Sequence, residues 1–94
     1  MSISSIAILG CGNIGSAIAK GLAKSGIDTK DITLTRRKVS QLAEFQNAGY
    51  IITDDNVSAV KNSQTIILAV SPIQIMDLLD NIGPLFNEDH LIIS

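Results

Sequence analysis

The stretch Gly10-Cys11-Gly12-Asn13-Ile14-Gly15 decides the fold of this chain. It fits the pattern G-x-G-x-x-G, which is weak alone but gains weight where it joins a strand to a helix. The apolar run before it, residues 5–9, lacks polar alternation, as in a strand that is covered on both faces. After it, apolar residues recur at helical spacing through Leu22, and Gly26 follows as a helix stop. The stretch therefore predicts a strand, a tight turn and a helix.

Each glycine of this turn has a separate expected role. Gly10 would let the chain bend without a Cβ atom, Gly12 would let the backbone approach a pyrophosphate, and Gly15 would let the helix pack close to the strand. The free N–H groups at the start of the helix would then face the phosphates. The alternative is a tight turn with no ligand. Cys11 lies here without a nearby His, Asp or Lys to lower its pKa, so we do not interpret it as a nucleophile.

Further strands and helices alternate along the rest of the chain. Short apolar runs predict strands at residues 31–35, 50–53, 64–70 and 91–93. Helical patterns lie between them, from Val39 towards Gly49, from a cap at Asp54 or Asp55 through Val60, and from residue 72 to residue 82. This alternation predicts the order βαβαβαβαβ and a parallel α/β sheet of the Rossmann type, doubly wound, with spatial order 3-2-1-4-5.

Composition narrows the class of protein. The 94 residues are 46% hydrophobic and 17% charged, which suits one folded domain over residues 1–94. The single cysteine excludes an internal disulfide, and with only His90 beside it no zinc site is expected. A net charge of −2 argues against nucleic-acid binding, and no apolar run approaches the roughly 20 residues that cross a bilayer. Residues 1–9 show no secretory leader, so we expect a cytoplasmic protein.

The residues after the second strand indicate which dinucleotide would bind. An NAD site normally has Asp or Glu about 20 residues beyond the glycines, where this chain has Thr35-Arg36-Arg37-Lys38. Guanidinium groups can hold a 2′-phosphate through two parallel hydrogen bonds, whereas a carboxylate would repel it. We therefore predict NADP(H), with Arg36 and Arg37 at the 2′-phosphate. The alternative is a solvated basic loop, an interpretation that suits Lys38 better than the arginines.

The end of the fourth strand would form the second lip of the cleft. In an open parallel sheet the ligand lies beyond the carboxyl ends of the strands, where the strand order reverses. Ala69, Val70, Ser71 and Pro72 leave the strand there, and small residues with a fixed turn would let the backbone lie against the nicotinamide. A plain strand-to-helix connection is the alternative. Asn56 is expected at the adenosine end.

Taken together, these residues resemble the N-terminal domain of the pyrroline-5-carboxylate reductases. The likeness covers nearly the whole chain but departs at Ser71, where that family usually has lysine. The matching residues are 8–18, 21, 22, 25–27, 31, 32, 36, 37, 56 and 67–72.

The resemblance implies an oxidoreductase of proline biosynthesis that moves hydride from NADPH to the C=N bond of a cyclic imine. It also implies a homo-oligomer and a second, helical domain for the substrate, so we expect this chain to be truncated before that domain and inactive alone. Another NADP-dependent oxidoreductase, deazaflavin-dependent or of the β-hydroxyacid dehydrogenase type, and a non-catalytic NADPH-binding module are the alternatives. No catalytic residue is predicted. The predicted cofactor-binding residues are Leu9, Gly10, Cys11, Gly12, Asn13, Ile14, Gly15, Arg36, Arg37, Asn56, Ala69, Val70, Ser71 and Pro72.

Overall fold

A parallel five-stranded sheet forms the centre of the molecule, in the order β3-β2-β1-β4-β5. The computed structural model describes residues 5–87 and 90–93. Residues 1–4, 88, 89 and 94, which the sequence assigns to the same domain, lie outside this described part. The observed strand order confirms the predicted Rossmann-type doubly wound sheet.

The helices and strands follow the predicted alternation. The strands are β1 (Ile6–Leu9), β2 (Ile32–Thr35), β3 (Ile51–Thr53), β4 (Thr65–Leu68) and β5 (Leu91–Ile93). The α-helices are α1 (Asn13–Lys24), α2 (Ala43–Asn47), α3 (Asn56–Lys61) and α4 (Pro72–Ile82). Short 3-10 turns precede β2 and α2 and follow α4, at Thr29–Asp31, Val39–Leu42 and Gly83–Leu85.

Strand β1 is buried on both faces, which explains its unbroken apolar sequence. Ile6 and Ile8 point into a core that α1 and α2 cover, whereas Ala7 and Leu9 point into a second core that α3 and α4 cover. Each fully buried Ile or Leu side chain contributes about 1.5–3 kcal/mol to folding. Helices on both sheet faces are therefore required to remove this central strand from water.

Two of the predicted helix stops are confirmed in detail. Gly26 and Gly49 have φ of +111° and +101°, a conformation that only glycine adopts readily. The residues after them, Ile27 and Tyr50, each donate a backbone hydrogen bond to the carbonyl five positions earlier, which completes a Schellman motif. These two turns reverse the chain after α1 and α2 and direct it towards the next strand.

Several boundaries differ from the sequence prediction by a few residues. The pattern from Val39 begins as a 3-10 turn, because Lys38 offers no side-chain cap to the first N–H groups and the turn tightens instead. Strand β4 ends at Leu68 rather than at residue 70, because the chain turns out of the sheet before α4 begins. Helix α4 ends at Ile82, as predicted, and Gly83, with φ of −50°, continues the chain in a right-handed 3-10 turn.

The described residues contain neither a helix long and apolar enough to cross a membrane nor a group of His, Cys, Asp and Glu that could hold a metal ion.

Candidate functional site

The glycine turn lies at the carboxyl end of β1, between β2 and β4, where the strand order reverses. Gly10 has φ of +77°, and a Cβ atom added there would overlap Cγ1 of Val70. A side chain at Gly10 is therefore excluded twice, by the backbone conformation and by the close approach of the chain that leaves β4.

The other two glycines differ in what surrounds them. A Cβ atom on Gly15 would lie 3.2 Å from Cγ2 of Ile8 and 3.3 Å from Cβ of Ala69, so α1 packs closely against the sheet and a larger residue would need these neighbours to shift by a few tenths of an ångström. A Cβ atom on Gly12 would meet no atom within 4 Å. The fold thus needs Gly15 for packing, whereas at Gly12 it leaves an open space above the backbone.

The end of β2 holds the glycine turn in place. The Thr35 hydroxyl accepts a hydrogen bond from the Gly10 N–H at 3.1 Å, and the Thr35 carbonyl accepts one from the Cys11 N–H at 2.7 Å. The Arg36 guanidinium donates from Nη1 to the Cys11 carbonyl at 3.2 Å. The last residue of β2 and the residue after it therefore fix both peptide groups that flank Cys11.

Helix α1 begins directly after the turn with its donors free. Its N-cap is Gly12, which has no side chain to cap it, and no acidic residue lies in its first turn. The first helical hydrogen bond runs from the Ser16 N–H to the Gly12 carbonyl at 2.8 Å. Within the described residues, the N–H groups of Asn13, Ile14 and Gly15 have no acceptor. An exposed helix start of this kind attracts an anion.

A cleft of about 690 Å³ opens along the carboxyl edge of the sheet. Its charged lip is the segment Arg36-Arg37-Lys38, in which Arg36 is half-buried and the other two side chains are exposed. Helix α4 forms the facing wall, and α3 contributes one end. The lining residues are Gly10, Gly12, Thr35, Arg36, Arg37, Lys38, Gln41, Asp54, Asn56, Ala69, Val70, Gln74, Asp77, Leu78 and Asn81.

Asn56 stands at the start of α3 with an unused acceptor. The preceding residue, Asp55, caps the helix by accepting from the N–H groups of Val57 and Ser58, as the sequence predicted. Asn56 is therefore not needed as a cap. Its Oδ1 is buried and accepts no hydrogen bond from the described residues, although its side chain lines the cleft. A buried acceptor without a donor is costly unless a ligand supplies one.

The lip that follows β4 is small and apolar. Ala69 continues the sheet by donating its N–H to the Leu9 carbonyl at 2.9 Å, and both Ala69 and Val70 line the cleft. Ser71 is exposed, and its N–H donates to Oε1 of Gln74 at 3.3 Å. Pro72 is the first residue of α4, as predicted. The Ser71 and Gln74 pair sets the direction in which α4 leaves the cleft.

Cys11 faces away from the cleft into the core beneath α1. Its side chain is fully buried, and its Sγ lies 3.7 Å from Oγ of Ser16. Burial raises the pKa of the Cys11 thiol, an effect that the Ser16 hydrogen bond and the Arg36 charge oppose without cancelling. A buried, protonated thiol is a poor nucleophile, which agrees with the interpretation of Cys11 as a small residue of the turn.

Seven of the fourteen predicted site residues line the cleft: Gly10, Gly12, Arg36, Arg37, Asn56, Ala69 and Val70. Of the others, Leu9 and Gly15 are buried beneath the turn, and Asn13 and Ile14 are exposed at the start of α1. Sequence reasoning missed Thr35, whose hydroxyl and carbonyl both hold the turn. The available signal was a polar residue at the end of a buried strand, next to the basic cluster.

Known proteins are similar to this chain in sequence and in architecture. The family described as NADP oxidoreductase, coenzyme F420-dependent, matches residues 5–94. Pyrroline-5-carboxylate reductase 1 of Dictyostelium discoideum is 43% identical over 90 residues, which are 95% of this chain and 16% of that protein. Pyrroline-5-carboxylate reductase 2 of the same organism is 41% identical over 91 residues, 95% of this chain and 30% of that protein.

A solved structure agrees with these relatives. The pyrroline-5-carboxylate reductase of Coxiella burnetii superposes with a TM-score of 0.85 at 31% identity, over 93% of this chain and 33% of that one. This chain thus spans a third or less of the length of these three relatives. The resemblance drawn from the glycine turn, the basic cluster and the β4 lip is confirmed. The chain belongs to the family of coenzyme F420-dependent NADP oxidoreductases.

Proposed function

We propose that this chain is the NADP(H)-binding domain of a pyrroline-5-carboxylate reductase, in which hydride passes from NADPH to the C=N bond of a cyclic imine. The observation that carries the proposal is the basic segment Arg36-Arg37-Lys38 beside the open glycine turn, in one cleft. The curated relatives named above are pyrroline-5-carboxylate reductases, which favours an imine as the substrate class.

The features of the cleft fit a dinucleotide phosphate. The space above Gly12 would admit a pyrophosphate, and the free N–H groups at the start of α1 would donate to it. Arg37 and Lys38 would supply positive charge for the 2′-phosphate. Asn56 would accept a hydrogen bond from the adenosine ribose, which would satisfy its buried Oδ1. Each of these contacts uses a group that the folded chain leaves unsatisfied or exposed.

The other end of the cleft would receive the nicotinamide, which supplies a hydride when the cofactor is bound. Ala69 and Val70 carry no acidic hydrogen, and Ser71 is exposed and does not line the cleft, so this lip would position the ring and exclude water rather than protonate the imine nitrogen. We therefore assign no catalytic residue to this lip. We also expect the complete enzyme to bind the imine substrate and to form a homo-oligomer.

Calorimetric titration of the purified protein with NADPH and NADH at matched salt tests the cofactor. If the basic segment makes two charge-assisted hydrogen bonds to the 2′-phosphate, NADPH should bind about a hundredfold more tightly than NADH, or better. Equal affinities for the two nucleotides would contradict the NADP assignment.

A chimaera tests the reaction. Residues 5–94 of this chain would replace the matching third of the Coxiella burnetii reductase, and NADPH oxidation would be followed with pyrroline-5-carboxylate. We expect turnover that depends on both NADPH and the imine, and the unaltered reductase is the control. A folded chimaera that binds NADPH but does not oxidise it in the presence of the imine would contradict the proposed reaction.

A further inference from the structure

The residues of the basic segment differ in their contacts, because only the first side chain, that of Arg36, bonds within the fold. Arg36 is half-buried and its side chain donates to the Cys11 carbonyl, whereas the Arg37 and Lys38 side chains are exposed and make no hydrogen bond or ion pair within the described residues. A guanidinium that already holds a backbone carbonyl is less free to turn towards a ligand. The two arginines therefore differ in the part they can take in nucleotide binding.

We propose that Thr35 and Arg36 are positioning residues that hold the glycine turn in its binding shape, and that Arg37 with Lys38 discriminates the 2′-phosphate. This inference rests on the proposed function and assigns different roles to neighbouring residues of the same cleft. It departs from the sequence prediction, which assigned both arginines to the 2′-phosphate.

Thr35 and Arg36 act on the peptide groups of the turn. Thr35 takes up the N–H groups of Gly10 and Cys11, and Arg36 takes up the Cys11 carbonyl. Because these groups are hydrogen-bonded, the peptide group between Cys11 and Gly12 has a fixed orientation. The free N–H donors of α1 therefore point in one direction. This geometry concerns the pyrophosphate, a group that NADPH and NADH share. Thr35 and Arg36 thus form a clamp on the turn. Loss of this clamp should weaken the binding of both nucleotides equally.

The 2′-phosphate, in contrast, is present only in NADPH. Side chains that are exposed in the cleft and free of other partners can approach it without breaking a bond that the fold needs. Arg37 meets this condition and can offer two parallel N–H donors to a phosphate. Loss of Arg37 should therefore change the ratio of the two affinities, which loss of Thr35 should leave unchanged.

Calorimetric titration with NADPH and NADH separates these roles in Thr35→Val, Thr35→Ser, Arg36→Ala and Arg37→Ala. Thr35→Val keeps the side-chain shape and removes the acceptor, so both affinities should fall by the same factor of about five, which Thr35→Ser should restore. Arg36→Ala should also weaken both nucleotides. Arg37→Ala should weaken NADPH by about 10- to 150-fold and NADH by less than twofold.

Two results would overturn the inference. If Thr35→Val lowers the melting temperature but leaves both affinities within twofold of the wild type, Thr35 has a purely structural role and the clamp is refuted. An Arg36→Ala variant that weakens NADPH alone would make Arg36 a 2′-phosphate ligand and refute the division of labour. A wild-type protein that binds neither nucleotide would instead overturn the proposed function, and this inference with it.

Discussion

Replacing Gly10 by alanine should destabilise the fold through a contact that can be removed separately. The residue has φ of +77°, where a Cβ atom costs about 1–2 kcal/mol, and the new methyl group would overlap Cγ1 of Val70. Val70 cannot easily rotate away, because a β-branched side chain is restricted at χ1. Overpacking of this kind costs about 1–3 kcal/mol. We expect Gly10→Ala to lower the free energy of unfolding by about 2–5 kcal/mol in total.

Urea unfolding followed by far-ultraviolet circular dichroism measures this loss, and a second substitution divides it into its two causes. In Gly10→Ala with Val70→Ala the Cγ1 atom is gone, and the nearest remaining Val70 side-chain position, Cβ, is 3.4 Å from the new methyl group, an ordinary contact. The double variant should therefore be less destabilised than the sum of the two single variants, by about 1–3 kcal/mol.

Gly12→Ala is the matched control, since a Cβ atom there meets nothing within 4 Å. Because Gly12 is the N-cap of α1, where alanine is less favourable than glycine, its free energy of unfolding should fall by about 0.5–1 kcal/mol, less than in Gly10→Ala, whereas its affinity for NADPH should also fall. Additive effects of Gly10→Ala and Val70→Ala, or a Gly10→Ala variant as stable as the wild type, would refute the steric argument.

Three further predictions concern other groups of the fold. The buried Tyr50 hydroxyl donates to the Ala19 carbonyl at 3.1 Å, so Tyr50→Phe should cost about 1–3 kcal/mol in urea unfolding, and an unchanged midpoint would show that this bond is dispensable. Asp55→Ala removes the cap of α3 and should cost about 0.5–2 kcal/mol, whereas Asp54→Ala, which removes no cap, should cost less. Burial raises the pKa of the Cys11 thiol above its ordinary value of 9.0, so the folded state binds this proton more tightly than the unfolded state. Stability from this source is complete below pH 9 and is lost as pH rises above it, and Cys11→Ala should flatten the alkaline part of a stability profile.

The sequence predicted the architecture well because the strongest physical constraints are local and repeated. An unbroken apolar run such as residues 6–9 must be covered on both faces, and this requirement leads to a parallel sheet with helices on both sides. Gly26 and Gly49 end their helices where predicted, because the positive φ that a Schellman turn needs selects glycine. Exact boundaries were less predictable, since they depend on caps and on where a chain turns out of the sheet.

The clamp on the glycine turn could not be predicted from the pattern of residues. Threonine is common in strands, so a polar residue at the end of β2 was only a weak signal, and it did not indicate that the Thr35 hydroxyl accepts from a backbone N–H. The commitment of Arg36 to the Cys11 carbonyl depends on two segments that are 25 positions apart in sequence. Charge and spacing could identify the basic segment, but they could not distinguish a residue that supports the turn from one that is free to meet a ligand.

The three glycines of the turn carry unequal weight as indicators of nucleotide binding. Gly10 is required by its backbone conformation and by Val70, and Gly15 is favoured by the close contact of α1 with Ile8 and Ala69. Both would be selected in a protein of this fold that bound nothing. At Gly12 alone, an added Cβ atom would meet no neighbour in the folded chain. Packing therefore does not explain this glycine, whereas the approach of a ligand to the turn would. The motif is therefore informative about a ligand chiefly through Gly12, and through the free helix start and basic segment that surround the same space.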